Sequence, residues 1–307
     1  MRMYILGINQ GHNATACLLK DGVVLAANSE ERFTRVKNHY GFPHLSIKKI
    51  LKDYEISIHD IDYIVLDDAY PIRDEDFSVP QQILKRAQQK SLTTKIKSFI
   101  AYHFPSMYPA LYDLASALRT PKSTFQKNLI TRAQKELGVE RRKIFLANHH
   151  LLHASACCFN LDSSKKTLVF TLDGEGSDLS ATINIWDGKT MKTISKTSKY
   201  NSLGFIYQFA TIHLGMKPME HEFKVMGLAP YAKKRYAQEV YKKLRSLFYI
   251  DKNLSFHCDY PTLFIDEYYK REMKHVRFDN FAAGVQKLIE ELSLEWIKKA
   301  IKKTGIK

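Results

Sequence analysis

Residues 3–28 and 167–195 carry the same pattern of strand, turn, strand, turn, strand, and a pattern written twice restricts the folds open to this chain more than any other feature. In the first copy Tyr4–Asn9 is an apolar strand and Gln10-Gly11-His12-Asn13 a turn. Ala14–Leu19 is a second strand, Lys20-Asp21-Gly22 a hairpin turn, and Val23–Ala27 a third strand. In the second copy the strand Thr167–Leu172 leads into a turn at Asp173-Gly174-Glu175-Gly176-Ser177. A strand at Leu179–Ile185, a hairpin turn at Asp187-Gly188 and a strand at Met191–Ser195 follow. Ala14-Thr15 ahead of Asp21-Gly22 answers Ala181-Thr182 ahead of Asp187-Gly188.

Two lobes that each open with a meander around a Gly-rich turn predict a duplicated, bilobal α/β fold of the actin and sugar-kinase type. The first lobe is expected over residues 1–160. It continues with a helix over 43–54, a strand over 61–66, a helical insert over about 80–118, a helix over 124–137 and a strand over 143–147. The second lobe, 161–307, continues with helical patterns over 203–214, 233–247 and 281–301, and no buried fourth and fifth strand is legible. The expectation is an incomplete second lobe, completed by a further segment or a partner chain.

The chain carries 47 Lys and Arg against 32 Asp and Glu, a formal net charge of +15. Part of the excess lies between Phe77 and Tyr112, where Lys85, Arg86, Lys90, Lys95 and Lys97 meet no acidic residue. Nucleic acid, anionic small substrates and a plain Lys-rich solvated surface all fit that balance. No apolar run is long enough to span a bilayer, so no membrane partner is expected. The first ten residues show no small-residue cleavage site, and four Cys suggest no disulfide framework. A cytoplasmic location is the expectation.

His149 and His153 are four residues apart, which on a helix stacks two imidazoles on one face. Such a pair can hold a divalent metal, with Asp173 closing the site from a Gly-rich strand end. The same spacing also suits two surface or hydrogen-bonded core histidines. Cys157, four on from His153, fits a third ligand or, with Cys158, a small buried apolar residue.

Four blocks resemble the O-carbamoyltransferase family that includes the nodulation, cephamycin and aminoglycoside carbamoyltransferases. They are Gly7-Ile8-Asn9-Gln10-Gly11-His12-Asn13-Ala14-Thr15; Glu30-Glu31-Arg32-Phe33-Thr34-Arg35-Val36-Lys37 with Gly41-Phe42-Pro43; the His149–Ala154 block with Asp173-Gly174-Glu175-Gly176; and Ser202–Tyr207 with Glu222-Phe223-Lys224-Val225-Met226-Gly227-Leu228-Ala229-Pro230-Tyr231. The resemblance implies a metal-containing, actin-like N-terminal domain, with the adenylate-forming domain of the family absent from this chain. It implies transfer of a carbamoyl group, activated from carbamoyl phosphate and ATP as carbamoyl-adenylate, to an acceptor hydroxyl. His149, His153 and Asp173 match the metal-binding positions, and the resemblance points to iron where spacing alone allows zinc, manganese, nickel or cobalt.

His12 is expected to act as general base or to hydrogen-bond the carbamoyl group, and Arg35 and Lys37 to pair with phosphate or carbamoyl oxygens. Gly11, Gly174 and Gly176 are expected to present backbone N–H groups to phosphate, and Glu222, Lys224 and Gly227 to contact the nucleotide. Two departures from the family pattern stand out: Phe223, where members commonly carry Gly, and the pair Cys157-Cys158. The rival readings are a tRNA threonylcarbamoyl transferase-like protein and a non-catalytic half-domain that binds metal or nucleotide with a partner. The Glu30–Lys37 and Met226–Tyr231 blocks favour the O-carbamoyltransferases, so nucleic acid is not an expected partner.

Overall fold

The structure is a computed structural model that describes residues 3–69, 77–78, 92–119, 122–159, 161 and 164–306. It is a mixed α/β protein, and its contacts divide the chain into two compact units. The first comprises Met1–Gln82 with Leu114–Leu152, and the second Ile83–Asp113 with His153–Lys307.

The first unit is built on strands β1 (Tyr4–Asn9), β2 (Thr15–Lys20), β3 (Val23–Ser29), β5 (Tyr63–Asp67) and β7 (Ile144–Ala147), in the order β3-β2-β1-β5-β7. The short strands β4 (His39–Tyr40) and β6 (Phe77–Ser78) pair separately. β1, β2 and β3 are antiparallel neighbours, and β1, β5 and β7 run parallel. The parallel pairs need crossovers, which the sequence supplies as helices. Period-two alternation buries Leu6, Ile8, Ala16, Leu18, Ile64, Leu66 and Ile144. Helix His44–Asp53 covers them with Ile47 and Ile50, and helix Lys122–Leu137 with Ile130 and Ala133. The β2–β3 hairpin turns at Asp21-Gly22, with φ of +51° and +82°, as a two-residue primed turn requires.

The Glu30–Lys37 block owes its shape to its two carboxylates. Pro43, at the N-cap of helix His44–Asp53, offers no side-chain acceptor. The buried Glu30 carboxylate replaces it from a distance, accepting the Leu45 N–H at 2.9 Å and the Ser46 N–H at 2.8 Å. Glu31 accepts the Asn38 N–H at 3.0 Å and closes the loop that carries Arg35 and Lys37.

The second unit opens with three antiparallel strands, β8 (Thr167–Gly176), β9 (Leu179–Trp186) and β10 (Met191–Ser198). Here the structure differs from the sequence reading. Residues 173–176 are not a turn but the bulged end of β8, and the reversal falls on Ser177 and Asp178 (φ +54° and +67°). A separate two-stranded ribbon, β11 (Phe248–Ile250) with β12 (Phe256–Cys258), lies beyond. The core is organised by the long helix Phe278–Thr304, whose Phe281, Val285, Leu288, Leu292, Trp296 and Ala300 form one buried stripe. Trp296 packs its ring on Phe170 and Phe256 and donates its indole N–H to the Leu254 carbonyl at 2.6 Å. Gly305 ends the helix in the left-handed conformation (φ +70°).

Of the insert expected over about 80–118, residues 80–91, with Lys85, Arg86 and Lys90, lie outside the described residues. The rest forms two helices, Leu92–His103 and Tyr108–Arg119. Residues up to Asp113 belong to the second unit. Ala101 and Tyr108 pack with Tyr200 and Phe264, Arg271 lies 4.0 Å from the Tyr102 ring centre, and the Tyr200 hydroxyl donates to Asp113 at 2.5 Å.

Two predictions follow from the local chemistry. Glu30→Ala strips both acceptors from the helix start and is expected to cost about 2 kcal/mol. The readout is urea denaturation followed by far-UV circular dichroism, and an unchanged midpoint would refute the remote cap. At the β9–β10 turn the exposed Asp187 carboxyl is pulled down to about 2 by the N–H groups of Thr190 and Lys189 and the Thr190 hydroxyl. A depressed folded pKa means a contribution that is present above the ordinary carboxylate range and is lost as pH falls through about 2. NMR titration should find that low midpoint in the wild type and a higher one in Thr190→Val.

Candidate metal centre

Helix His149–Cys158 starts directly after β7, and Asn148 caps it by accepting the Leu151 N–H at 3.2 Å. The helix carries His149 and His153 one turn apart, as the spacing predicted. Their surroundings differ, because the His149 side chain is 8% exposed and that of His153 54%. The Asp173 carboxylate, on the bulge of β8, comes to 3.5 Å from His153 Nε2 while accepting the Gly174 N–H at 2.6 Å. One helix and one strand thus supply a donor set of two imidazoles and a carboxylate. The ligand atoms of His149, His153 and Asp173 all lie within 4.8 Å of one another. Two histidines and one carboxylate with open positions suit a divalent transition metal, iron(II) included. Cys157, on the same helix, is exposed, whereas Cys158 is buried against Ala154 and Val169.

A residue that the sequence reading did not single out completes the arrangement around His149. Asp67, the last residue of β5, places Oδ2 at 2.7 Å from His149 Nδ1. Its Oδ1 accepts the Ala69 N–H at 2.9 Å, and its backbone carbonyl accepts the amide of the fully buried Gln10 at 2.7 Å. The available sequence signal was weak: an acidic residue at the C-terminal end of an apolar parallel strand.

The bulge that carries Asp173 is held from below. Ser202 caps helix Leu203–His213 by accepting the Phe205 N–H at 3.1 Å, and its hydroxyl donates to the Gly174 carbonyl at 2.6 Å. Gly204 lets that helix touch the bulge, since a Cβ there would lie 2.7 Å from Gly174 Cα and N and 2.8 Å from the Asp173 carbonyl oxygen. Gly174 faces the Phe205 ring, and the buried Gly176 pairs with Leu179. Glu175 and Asp178 face Lys199 at 3.5 and 2.8 Å. Burial pushes the Glu175 carboxyl up, against the lowering effect of Lys199. Burial alone would lower the Lys199 ammonium, but the hydrogen bond to Asp178 and the charges of Glu175 and Asp178 hold it above the ordinary range.

The remaining predicted residues fall into two groups. In the first unit the turn over residues 10–13 is tied by Asn9, whose side chain accepts the Gly11 N–H at 2.9 Å and donates to the His12 carbonyl at 3.2 Å. His12 bridges to Tyr40, and the Ala14 N–H donates to the His39 carbonyl at 3.0 Å, so the turn lies along the loop bearing Arg35 and Lys37. Both cations are exposed, and Arg35 has φ +61° at the end of a four-residue helix. In the second unit Glu222 accepts the Met219 N–H at 2.6 Å, where Met219 has φ +62°. Lys224 Nζ lies 3.0 Å from His221 Nε2, and Phe223 is exposed beside them. Outside its own turn of helix, no atom of the described residues comes within 4 Å of a Cβ placed on Gly227.

The described residues form a mixed α/β protein that carries two histidines and one aspartate with ligand atoms within 4.8 Å of one another. The chain belongs to the carbamoyltransferase family: the family described as carbamoyltransferase N-terminus matches residues 4–307. It is 30% identical over 254 residues to protein sll1178 of Synechocystis sp., a match covering 80% of this chain and 37% of that protein. It is 30% identical over 227 residues to protein MJ1051 of Methanocaldococcus jannaschii, covering 74% of this chain and 33% of the relative. With the nodulation protein NolNO of Sinorhizobium fredii it shares 27% identity over 222 residues, 72% of this chain and 28% of the relative. The chain thus spans well under half the length of these curated relatives. Among the described residues no helix is long and apolar enough to cross a membrane.

The two glycines make opposite predictions. Gly204→Ala drives a methyl into the backbone of Asp173 and Gly174 and is expected to cost about 2 kcal/mol. Gly227→Ala adds a methyl in open space on a helix and is expected to be neutral or to stabilise by up to about 1 kcal/mol. Urea denaturation of both variants checks the pair, and equal effects would refute the close approach at Gly204.

Proposed function

We propose that this chain is the transferase region of an O-carbamoyltransferase, with His149, His153 and Asp173 holding a divalent metal ion, iron by resemblance. The observation that carries the reading is the gathering of those three side chains in a chain matched almost end to end by the family. When bound, the ion supplies Lewis acidity to a carbonyl and neutralises phosphate charge. The carbamoyl donor in this reading is carbamoyl-adenylate, made from carbamoyl phosphate and ATP outside this region. The acceptor oxygen bonds to the carbamoyl carbon, the bond from that carbon to the adenylate oxygen breaks, and AMP leaves with the electron pair.

The chain's own residues have distinct tasks in that step. His12, in the Asn9-tied turn, takes the proton of the acceptor hydroxyl. Arg35 and Lys37, exposed on the loop that Glu30 and Glu31 stiffen, pair with phosphate or carbamoyl oxygens. The Gly11 N–H is taken by Asn9 and the Gly174 N–H by Asp173, so these glycines do not offer those groups to phosphate as expected, and Glu222, Lys224 and the open position at Gly227 are left to face the nucleotide. We also read the two units as lobes of a duplicated actin-type fold, supported by the three-stranded antiparallel meander that opens each.

The test measures metal content and group transfer in one preparation. Purified wild type is expected to hold about one ion per chain, and His149→Ala and His153→Ala close to none. Preformed carbamoyl-adenylate, offered with a panel of hydroxyl acceptors, is expected to yield carbamoylated product with wild type alone. A metal-free wild-type chain after loading with iron, zinc and manganese would overturn the assigned centre. Full transfer by both histidine variants would overturn its role.

A further inference from the structure

The two histidines of the centre are not equivalent. An imidazole can give only one ring nitrogen to an ion, and the hydrogen bond made by the other decides which nitrogen that is. His153 is half exposed and its Nε2 meets Asp173 only at 3.5 Å. His149 is enclosed, and its Nδ1 sits 2.7 Å from a carboxylate that is itself 6% exposed. A carboxylate at that distance accepts the proton of Nδ1, which leaves the lone pair on Nε2.

The carboxylate cannot easily turn away. Parallel pairing sets Asp67 opposite Ala147, two residues before His149, and the Asp68 N–H donates to the Ala147 carbonyl at 3.1 Å. The Ala69 N–H holds Oδ1, and Gln10 Nε2 holds the Asp67 carbonyl from the end of β1. Three neighbouring strands therefore converge on one aspartate, whose remaining oxygen is aimed at one ring nitrogen.

We propose that Asp67 is a positioning residue of the metal centre: it holds His149 as the Nδ1–H tautomer, presents Nε2 as ligand, and strengthens ion binding, with Gln10 fixing Asp67 in turn. The proposal rests on His149 being a metal ligand. Asp67 touches neither substrate nor ion and acts through the imidazole alone.

The test combines a tautomer readout with a metal titration. In the metal-stripped chain labelled with ¹⁵N-histidine, two-bond proton–nitrogen correlations are expected to show His149 protonated on Nδ1. Asp67→Ala is expected to move it toward the Nε2–H form favoured by free imidazole, with Asp67→Asn intermediate. Cobalt(II) and zinc(II) titrations are expected to weaken about 10- to 100-fold in Asp67→Ala and less in Asp67→Asn. A proton on Nε2 of His149 in wild type would overturn the proposal without any variant, so misfolding of Asp67→Ala does not protect it. Tight binding by wild type and equally tight binding by both folded variants would overturn the role of Asp67 and leave the metal centre standing. Nδ1–H in wild type with no binding of either ion would remove the centre and the proposal together.

Discussion

The aim of the Asp173 carboxylate depends on a local mismatch between two strands. From Leu172 to Gly176 β8 advances four residues while its partner β9 moves only from Ala181 to Leu179. The surplus of two residues pushes the stretch Asp173, Gly174 and Glu175 out of the ladder. A bulge of this kind redirects side chains and breaks ladder hydrogen bonds, so it persists only when its neighbours accept the freed groups. Here Ser202 takes the Gly174 carbonyl, Asp173 takes the N–H of Gly174, Gly204 lets a helix rest against the backbone, and Lys199 anchors Glu175. The acidic and glycine residues of one block and the serine and glycine of another are thus the two halves of one joint.

The same division of labour runs through the Glu30–Lys37 block. Its carboxylates are spent inside the protein, on the start of helix His44–Asp53 and on the Asn38 amide. Its cations stay outside. A single run of charged residues therefore contains both the scaffold and the groups offered to an anion, separated by which side chains can reach an unsatisfied backbone N–H.

Much of the fold was legible because it is local. Period-two alternation located the meanders, Asp21-Gly22 and Asp187-Gly188 marked hairpins, and a four-residue spacing put both histidines on one helix face. What escaped was non-local. The strand end at Asp173-Gly174-Glu175-Gly176 reads as a turn because glycines usually mark reversals, and the competing cue, two positive φ values at Ser177 and Asp178, carries no glycine. The insert follows the second unit through ring packing of Tyr102, Tyr108 and Tyr112, which periodicity does not reveal. Asp67 meets His149 and Gln10 across separations of some eighty and fifty-seven positions; Gln10 lies in the Gly7–Thr15 block, but no motif surrounds Asp67 or ties the two together. Of the candidate site, the three residues whose ligand atoms the structure gathers, His149, His153 and Asp173, were named from sequence. The residues that hold them in place were not.

The buried indole of Trp296 has a consequence for how the molecule reports on itself. The chain has only two tryptophans, Trp186 in β9 and Trp296 in the long helix, and both belong to the second unit. Tryptophan fluorescence is therefore a private signal of that unit, and one of its two indoles is enclosed by two phenylalanines and bonded to a carbonyl. The sheet that ends in Asp67 has tyrosines but no tryptophan and can melt unseen at that wavelength. A single smooth emission transition would describe half of the protein, and agreement with circular dichroism would be the criterion for calling unfolding cooperative across both units.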